Sequence, residues 1–247
     1  MKRQSLVAFV RRRFSREEAV GLYFTVGLLV CVILGVAFVW IADEVFEVRK
    51  GPNPVDQLFG VALTGARTPA LTEVMRDVTA LGDHRFLLLA APGVIWLLVR
   101  AGHRVSALLF AGSVLGGWIL EASLKLVFAR KRPDLWPALV FEKTYSFPSG
   151  HSTMAAVFFG GLVAVVFHLR KSRLERGIAL FVGATVIVLV ALSRVYLGAH
   201  WATDTAAGIL VGLFWVVVFS SGTEYFARRT RASVREPGRR SARTSGA

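Results

Sequence analysis

Three short polar blocks lie at the ends of apolar runs and carry most of the residues that could do chemistry. They are KLVFARKRP at 125–133, FPSGH at 147–151 and SRVYLGAHWATD at 193–204. Ionisable side chains next to hydrocarbon are costly and commonly serve a function. The blocks are therefore the first place to look for an active site.

The third block offers a nucleophile with a supporting carboxylate. His200 and Asp204 are four residues apart, so on a helix they share a face, and the carboxylate can accept the imidazole N–H. The second ring nitrogen then keeps a free lone pair, and neutral imidazole is a competent nucleophile near physiological pH. Arg194 could hold anionic oxygens beside it. The plain alternative is a His–Asp pair that only satisfies its own hydrogen bonds at a helix start.

The first block places two cations on one helix face. Lys125 and Arg132 are seven residues, or two helical turns, apart, and Pro133 follows. Such side chains also occur at span ends simply because they reach for lipid headgroups. Lys125 could instead pair with Glu121, four residues earlier.

The second block resembles a helix start that could bind an anion. Ser149 can cap the helix, and Gly150 lets the backbone approach a ligand closely. A helix N-terminus presents free N–H groups and a positive dipole end, which suit phosphate. Alone, Ser149 would be a plain cap and His151 an interfacial side chain.

Taken together, the three blocks suit phosphoryl transfer. Three cations can neutralise phosphate oxygens, one histidine can attack phosphorus, and the other can protonate the departing oxygen. This reaction depends mainly on positioning and charge stabilisation. The sequence therefore predicts a site that needs no metal and no cofactor.

Composition predicts that these blocks sit in a membrane. Of the 247 residues, 54% are apolar and the mean hydropathy is +0.56, more apolar surface than a soluble domain of this size could cover. We predict an all-α, polytopic bundle of six transmembrane helices, each built on an apolar run near the length of about 20 residues that crosses a bilayer. The predicted spans are 21–42, 85–99, 105–128, 152–168, 177–192 and 203–222.

Charge distribution predicts the topology. On one side of the six spans the loops and termini hold 19 Lys and Arg residues, against ten on the other, so both termini should be cytoplasmic. The three blocks then face the extracytoplasmic side of the cell membrane. We expect a basic cytoplasmic N-terminus at 1–20, which is a retained anchor's flank rather than a signal peptide, the six-span domain at 21–225, and a basic, disordered tail at 226–247.

The net charge, the cysteine content and the segment at 43–84 further restrict the class of protein. The net charge of +14 comes without a nucleic-acid recognition motif, so no nucleic-acid partner is expected. Cys31 is the single cysteine, which excludes an intramolecular disulfide. Residues 43–84 have apolar residues at helix-like spacing between prolines, consistent with one or two short interfacial helices or with a connecting loop.

The motifs K-x6-R-P, P-S-G-H and S-R-x5-H-x3-D, in this order, resemble the signature of the type 2 phosphatidic acid phosphatase superfamily. The resemblance covers residues 125–204 and all signature positions. It implies that His200 forms a phosphohistidine, that Asp204 supports it and that His151 protonates the leaving group. It further implies that the phosphate oxygens are held by Lys125, Arg132 and Arg194, together with Ser149 and the backbone at Gly150.

The expected function is hydrolysis of a lipid phosphate such as phosphatidate, phosphatidylglycerol phosphate or undecaprenyl diphosphate. The expected partners are this substrate and the surrounding membrane lipids, with no obligate protein partner. A phosphotransferase using the same residues, or a non-catalytic lipid-binding or transport protein, remains an alternative. Vanadium haloperoxidases share the motif, but those relatives are soluble, and six predicted spans argue against that assignment.

Overall fold

The computed structural model describes residues 19–47 and 52–235. Within them every regular element is an α-helix, which confirms the predicted all-α class. The helices of this described part are α1 (Ala19–Glu47), α2 (Pro54–Gly65), α3 (Pro69–Ala80), α4 (His84–Arg100), α5 (Arg104–Phe128), α6 (Gly150–Leu169), α7 (Arg173–Tyr196) and α8 (Ala202–Arg235).

Five of these helices are long and apolar enough to cross a bilayer. They are α1 over Thr25–Phe46, α8 over Ala202–Ser221, and the whole of α5, α6 and α7. A sixth span arises if α3 and α4, which meet at a bend of 48°, are taken together. The prediction of a multi-pass membrane protein is confirmed. The second span, expected at 85–99, falls in α4, which has 17 residues and reaches spanning length only if it is joined with α3.

Several helix ends differ from the predicted spans because polar residues continue the helices. The fourth span was expected to begin at residue 152, but α6 begins at Gly150 and has 20 residues. The fifth, expected at 177–192, extends to Arg173–Tyr196. Apolarity marks the part of a helix in hydrocarbon, whereas backbone hydrogen bonding carries the helix beyond it.

The two ends of the chain were predicted to be basic and, at residues 226–247, disordered. The helix α8 continues to Arg235, and the assignment of the tail as a separate segment stays a prediction. Residues 1–18 and 236–247 lie outside the described residues, and the predictions for them stay predictions.

The segment between the first two predicted spans forms short helices. Asn53 caps α2 by accepting the Asp56 N–H, and Thr68 caps α3 by accepting the Leu71 N–H. Each helix has proline in its first turn, where no N–H is needed. Short helices, rather than an irregular loop, therefore connect α1 to α4.

The described residues between 33 and 216 form one compact unit, and residues 19–32 with 217–235 belong to another. In the larger unit α6 packs against both α5 and α7, and its residues from Gly150 to Phe158 are buried. In the smaller unit Gly27 faces the side chain of Ser221. The site described below lies wholly within the larger unit.

Close packing in the larger unit depends on glycine. A Cβ at Gly212 of α8 would lie 2.5 Å from the Ala156 Cβ and 2.6 Å from the Thr153 carbonyl oxygen of α6. A Cβ at Gly93 of α4 would meet nothing within 4 Å. The two glycines are thus a matched pair for testing the α6–α8 contact.

We expect Gly212→Ala to destabilise the protein by about 1–3 kcal/mol, because neither backbone nor a short Ala side chain can move aside easily. Gly93→Ala should leave stability unchanged or slightly raise it, since alanine favours helix. Thermal unfolding in detergent would compare the two variants with wild type. Equal midpoints for the two variants would contradict the predicted contact.

Candidate active site

A cavity of about 840 Å³ opens at one end of the bundle in the larger unit. It brings together residues from the first and second sequence blocks with His200 of the third. Its lining includes Lys125, Arg132, Gly150, His151 and His200, with Trp118, Ala122 and Leu126 of α5 on its apolar side and Glu142, Lys143, Thr144 and Tyr145 from the α5–α6 loop.

His200 is held from both ring nitrogens. Its Nε2 lies 3.2 Å from Nη1 of Arg132, and its Nδ1 lies 3.3 Å from the Ser146 hydroxyl. That hydroxyl donates to Oδ2 of Asp204 at 2.5 Å, so it is free to accept the Nδ1 proton. This geometry suits the tautomer with a proton on Nδ1 and a lone pair on Nε2.

The predicted helical register of His200 and Asp204 is wrong in detail. The helix α8 begins at Ala202, so His200 precedes it in a turn that includes Gly198 at φ +74°. Asp204 Oδ2 accepts the Trp201 N–H at 3.0 Å and lies 3.5 Å from His200 Nδ1. The carboxylate therefore caps its own helix while it supports the histidine through Ser146.

The surroundings of His200 keep its imidazole neutral. The ring is 1% exposed, and burial lowers the pKa of His200 well below its ordinary value. The positive charges of Arg194, Arg132 and Lys125 lower the same pKa further. A buried, neutral ring with its Nε2 lone pair toward a cationic cavity is the form that can attack an electrophile.

His151 lies in the first turn of α6 and lines the same cavity. Its Nε2 is 3.7 Å from Oδ2 of Asp83, and its Nδ1 is 4.0 Å from Oε1 of Glu142. Asp83 is itself the cap of α4, where it accepts the Arg85 N–H. Neither carboxylate is within hydrogen-bond distance of the ring, and the role of His151 as proton donor stays a prediction.

Lys125 and Arg132 both line the cavity. The predicted shared helix face is wrong, because α5 ends at Phe128 and Arg132 lies in the loop that follows. Lys125 Nζ lies 3.1 Å from the Thr144 hydroxyl and 2.9 Å from Oε1 of Glu121. Arg132 donates to the carbonyl oxygens of Thr144 and Ala199 at 2.8 and 2.7 Å. Neutral partners fix the direction of the Arg132 guanidinium without cancelling its charge.

Arg194 is buried beside the cavity and already forms an ion pair with Glu142. It is 1% exposed, donates to the Thr79 hydroxyl at 3.1 Å and to Oε1 of Glu142 at 2.5 Å. Glu142 lines the cavity. The Glu142 carboxylate therefore holds the Arg194 guanidinium, which the sequence analysis predicts to be a phosphate ligand.

Ser149 and Gly150 occupy the N-terminus of α6. Ser149 is the N-cap by position, but its buried hydroxyl accepts a hydrogen bond from Ser152 at 3.2 Å and makes no cap bond. A Cβ at Gly150 would lie 2.6 Å from Oε1 of Glu121. Gly150 lines the cavity, whereas Ser149 is buried and is not part of the lining, so a direct phosphate contact by Ser149 stays a prediction.

Sequence reasoning missed four polar residues of the site. Ser146 links His200 to Asp204, Glu142 pairs with Arg194, and Arg130 joins Asp204 to Asp56. Ser146 and Arg130 stand within three residues of recognised motifs and could have been suspected on that ground. Asp56 and Glu142 carry no such local signal.

Among the described residues no group of three His, Cys, Asp or Glu side chains could hold a metal ion; independence from metal stays a prediction.

The helical membrane architecture and the cationic, two-histidine cavity define a class, that of multi-pass membrane enzymes of phosphoryl transfer. The model of the PAP2 superfamily matches residues 106–228. Phosphatidylglycerophosphatase B of Bacillus subtilis is 34% identical over 163 residues, which cover 64% of this chain and 78% of that protein. The chain belongs to the PAP2 superfamily, in its membrane lipid phosphatase branch.

Further similarities agree with this assignment. The crystal structure of a transmembrane PAP2-type phosphatidylglycerolphosphate phosphatase from Bacillus subtilis has a TM-score of 0.70 and 31% identity, covering 79% of this chain and 96% of that one. A putative undecaprenyl-diphosphatase of Escherichia coli is 44% identical over 124 residues, 49% of this chain and 58% of that protein. LpxE of Aquifex aeolicus, at TM-score 0.51 and 23% identity over 66% of this chain and 92% of that one, shares the fold.

We expect Glu142→Gln to strengthen binding of orthophosphate. The carboxylate competes for Arg194 and adds a negative charge to the phosphate site, and removing a charge of this kind is worth about 1 kcal/mol, or about fivefold in Kd. Product inhibition of phosphate release, measured as a Ki for orthophosphate, reports this affinity. Glu175→Gln, a half-exposed carboxylate at the start of α7, is the control. A higher Ki in Glu142→Gln would mean that Glu142 orients Arg194 rather than competing for it.

Proposed function

We propose that this protein hydrolyses a phosphomonoester or diphosphate of a membrane lipid through a phosphohistidine at His200. The observation that carries the proposal is the state of that residue. Its ring is buried and neutral, its Nδ1 is tied to Asp204 through Ser146, and its Nε2 faces Arg132 in a cavity shared with His151.

In the first step, the Nε2 lone pair of His200 attacks phosphorus as the bond from phosphorus to the leaving oxygen breaks. His151 gives its proton to that oxygen, so the lipid leaves as an alcohol, or as a monophosphate if the substrate was a diphosphate. Arg132 and Lys125 offset the charge on the phosphoryl oxygens. Arg194 joins them once the phosphate displaces Glu142.

In the second step, water attacks the phosphorus of the phosphohistidine. His151, now neutral, takes a proton from that water, and the bond between phosphorus and Nε2 breaks. Inorganic phosphate leaves and His200 returns to its neutral form. Asp204 offsets the positive charge that the ring carries while it holds the phosphoryl group, because Nδ1 keeps its proton throughout.

The apolar side of the cavity supports a lipid as substrate. Trp118, Ala122 and Leu126 are four residues apart on α5 and form one stripe, which is exposed on the face of a spanning helix and also lines the cavity. A headgroup in the cavity could therefore keep its chain in the bilayer. The names of the relatives favour phosphatidylglycerol phosphate or undecaprenyl diphosphate, with phosphatidate as a further candidate of the same chemistry.

We expect purified wild-type protein in detergent to release phosphate from one of these three lipids, and to do so with chelator and without divalent metal. His200→Gln should lower kcat by at least about 10⁴-fold, because the nucleophile is gone while its volume is largely kept. A colorimetric phosphate assay measures both. Quenching in alkaline denaturant, in which the P–N bond survives, followed by alkaline gel analysis should detect a phosphoprotein in wild type and none in the variant.

Full turnover by His200→Gln would contradict the proposal, as would activity that chelator abolishes and added metal restores. Product analysis separates the remaining alternatives. Transfer of the labelled phosphoryl group to an added alcohol in place of water would identify a phosphotransferase. Lipid binding by folded wild-type protein without any phosphoprotein would identify a binding or transport protein.

The charge distribution supports an extracytoplasmic active site with both termini in the cytoplasm. In a Cys31→Ser background, Asp134→Cys lies on the cavity side and Lys171→Cys in the short loop between α6 and α7, and both positions are exposed. We expect a membrane-impermeant maleimide added to intact cells to label position 134 only. Labelling of position 171 alone would reverse the topology.

A further inference from the structure

The two carboxylate oxygens of Asp204 face different partners. Oδ2 accepts from Ser146 and from the Trp201 N–H on the side of His200. Oδ1 accepts from Nη1 of Arg130 at 2.5 Å on the other side. The orientation of the carboxylate toward His200 is therefore fixed from behind by Arg130.

Arg130 is fixed in turn by a second buried carboxylate. Its Nη2 donates to Oδ2 of Asp56 at 2.7 Å, and its Nη1 donates to the Thr203 hydroxyl at 2.8 Å. The guanidinium also lies over the Trp201 ring, 5.5 Å from its centroid. These contacts, on three sides of the guanidinium, fix its orientation.

Asp56 anchors the chain of contacts to the start of α8. It is fully buried, and its Oδ1 accepts both the N–H and the hydroxyl of Thr203 at 2.9 Å. Its own N–H is bonded to the cap residue Asn53. The first turn of α2 thus holds the first turn of α8, although the two are 147 residues apart in sequence.

The charges of this group match the proposed reaction. Asp56 and Asp204 together with Arg130 carry one excess negative charge, and burial lowers the pKa of Arg130 less than the two carboxylates raise it. The His200 ring becomes positive when Nε2 bonds to phosphorus and Nδ1 keeps its proton. The group is therefore neutralised in the intermediate, where its charge is needed.

Arg130 and Arg132 differ in whether neighbouring carboxylates compensate their positive charge. Arg132 donates to carbonyl and hydroxyl oxygens and to the His200 ring. Arg130 forms ion pairs with two carboxylates. A phosphate in the cavity would meet an uncompensated cation at Arg132 and a compensated one at Arg130.

We propose that Asp56 and Arg130 are positioning residues, which orient Asp204 toward Nδ1 of His200 and act on the rate of phosphoryl transfer rather than on phosphate binding. This inference rests on the proposed function of His200. It assigns a role to Arg130, at an unspecified position of the first motif, and to Asp56 in the short helix α2, which lies outside all three motifs.

The test compares Asp56→Asn, Arg130→Gln, their double variant and Arg130→Lys with wild type, on whichever lipid wild type hydrolyses. The exposed residues Asp77 and Arg76 of α3 supply matched controls, Asp77→Asn and Arg76→Gln. We expect Asp56→Asn and Arg130→Gln to lower kcat by about 10–100-fold, since a small misplacement of a reacting group has effects of this size. KM should stay within about twofold of wild type.

Two further readouts separate positioning from general damage. The double variant should be no slower than Arg130→Gln alone, because Asp56 acts through Arg130 and the effects of coupled residues do not add. Rapid quench should show slower formation of the phosphoprotein at saturating lipid. Arg130→Lys, which keeps the charge but can reach fewer oxygens, should have an intermediate kcat.

Several results would overturn the proposal. A raised KM with unchanged kcat would make Arg130 a phosphate ligand, and additive losses in the double variant would mean that Asp56 acts independently. If neither Arg130 variant folds, as judged by thermal unfolding in detergent, the group holds the fold and does not tune the site. Wild-type kcat in these variants with a dead His200→Gln refutes this inference alone, whereas an active His200→Gln refutes the proposed function.

Discussion

The carboxylate and backbone of Asp204 join all parts of the site. Its side chain binds Arg130 beyond the end of α5, Ser146 before α6, and the Trp201 N–H at the start of α8. Its carbonyl oxygen accepts the Ser149 N–H at the N-terminus of α6. One fully buried acidic residue therefore connects the three polar blocks. A buried carboxylate is tolerated only when its oxygens are bonded in this way, so the constraint on the acid fixes the positions of its neighbours.

The fold could be predicted from the sequence because its signal is local. Apolar runs near the bilayer thickness show where the helices are, and capping residues such as Asn53 and Thr68 show where the short ones start. The errors have physical causes. The fourth span was begun at residue 152 because Gly150 and His151 are not apolar, although the predicted cap at Ser149 already indicated a helix start at Gly150. The pairing of α3 with α4 was not predicted, because Gly82 and Asp83 interrupt the apolar pattern between the two helices.

The candidate site was predictable to the extent that its residues act within motifs. The gathering of Lys125, Arg132, His151 and His200 around one cavity agrees with the expectation that the blocks share one membrane face. The helical spacings did not predict it, because Arg132 follows the end of α5 and His200 precedes the start of α8. The bonds that hold those residues join distant segments, as Asp56 joins Thr203 and Glu142 joins Arg194. Such pairs depend on tertiary packing, and a single sequence contains no local pattern for them.

The apolar stripe of Trp118, Ala122 and Leu126 beside the cavity determines how the effective concentration of a lipid substrate is expressed. A lipid that reaches the site along a spanning helix arrives by lateral diffusion, so its effective concentration is a mole fraction of the bilayer and not an amount per volume of water. Dilution with inert lipid then lowers occupancy even when the total amount is constant. The two products separate into different phases, phosphate into water and the dephosphorylated lipid into the membrane, and their departures are independent events.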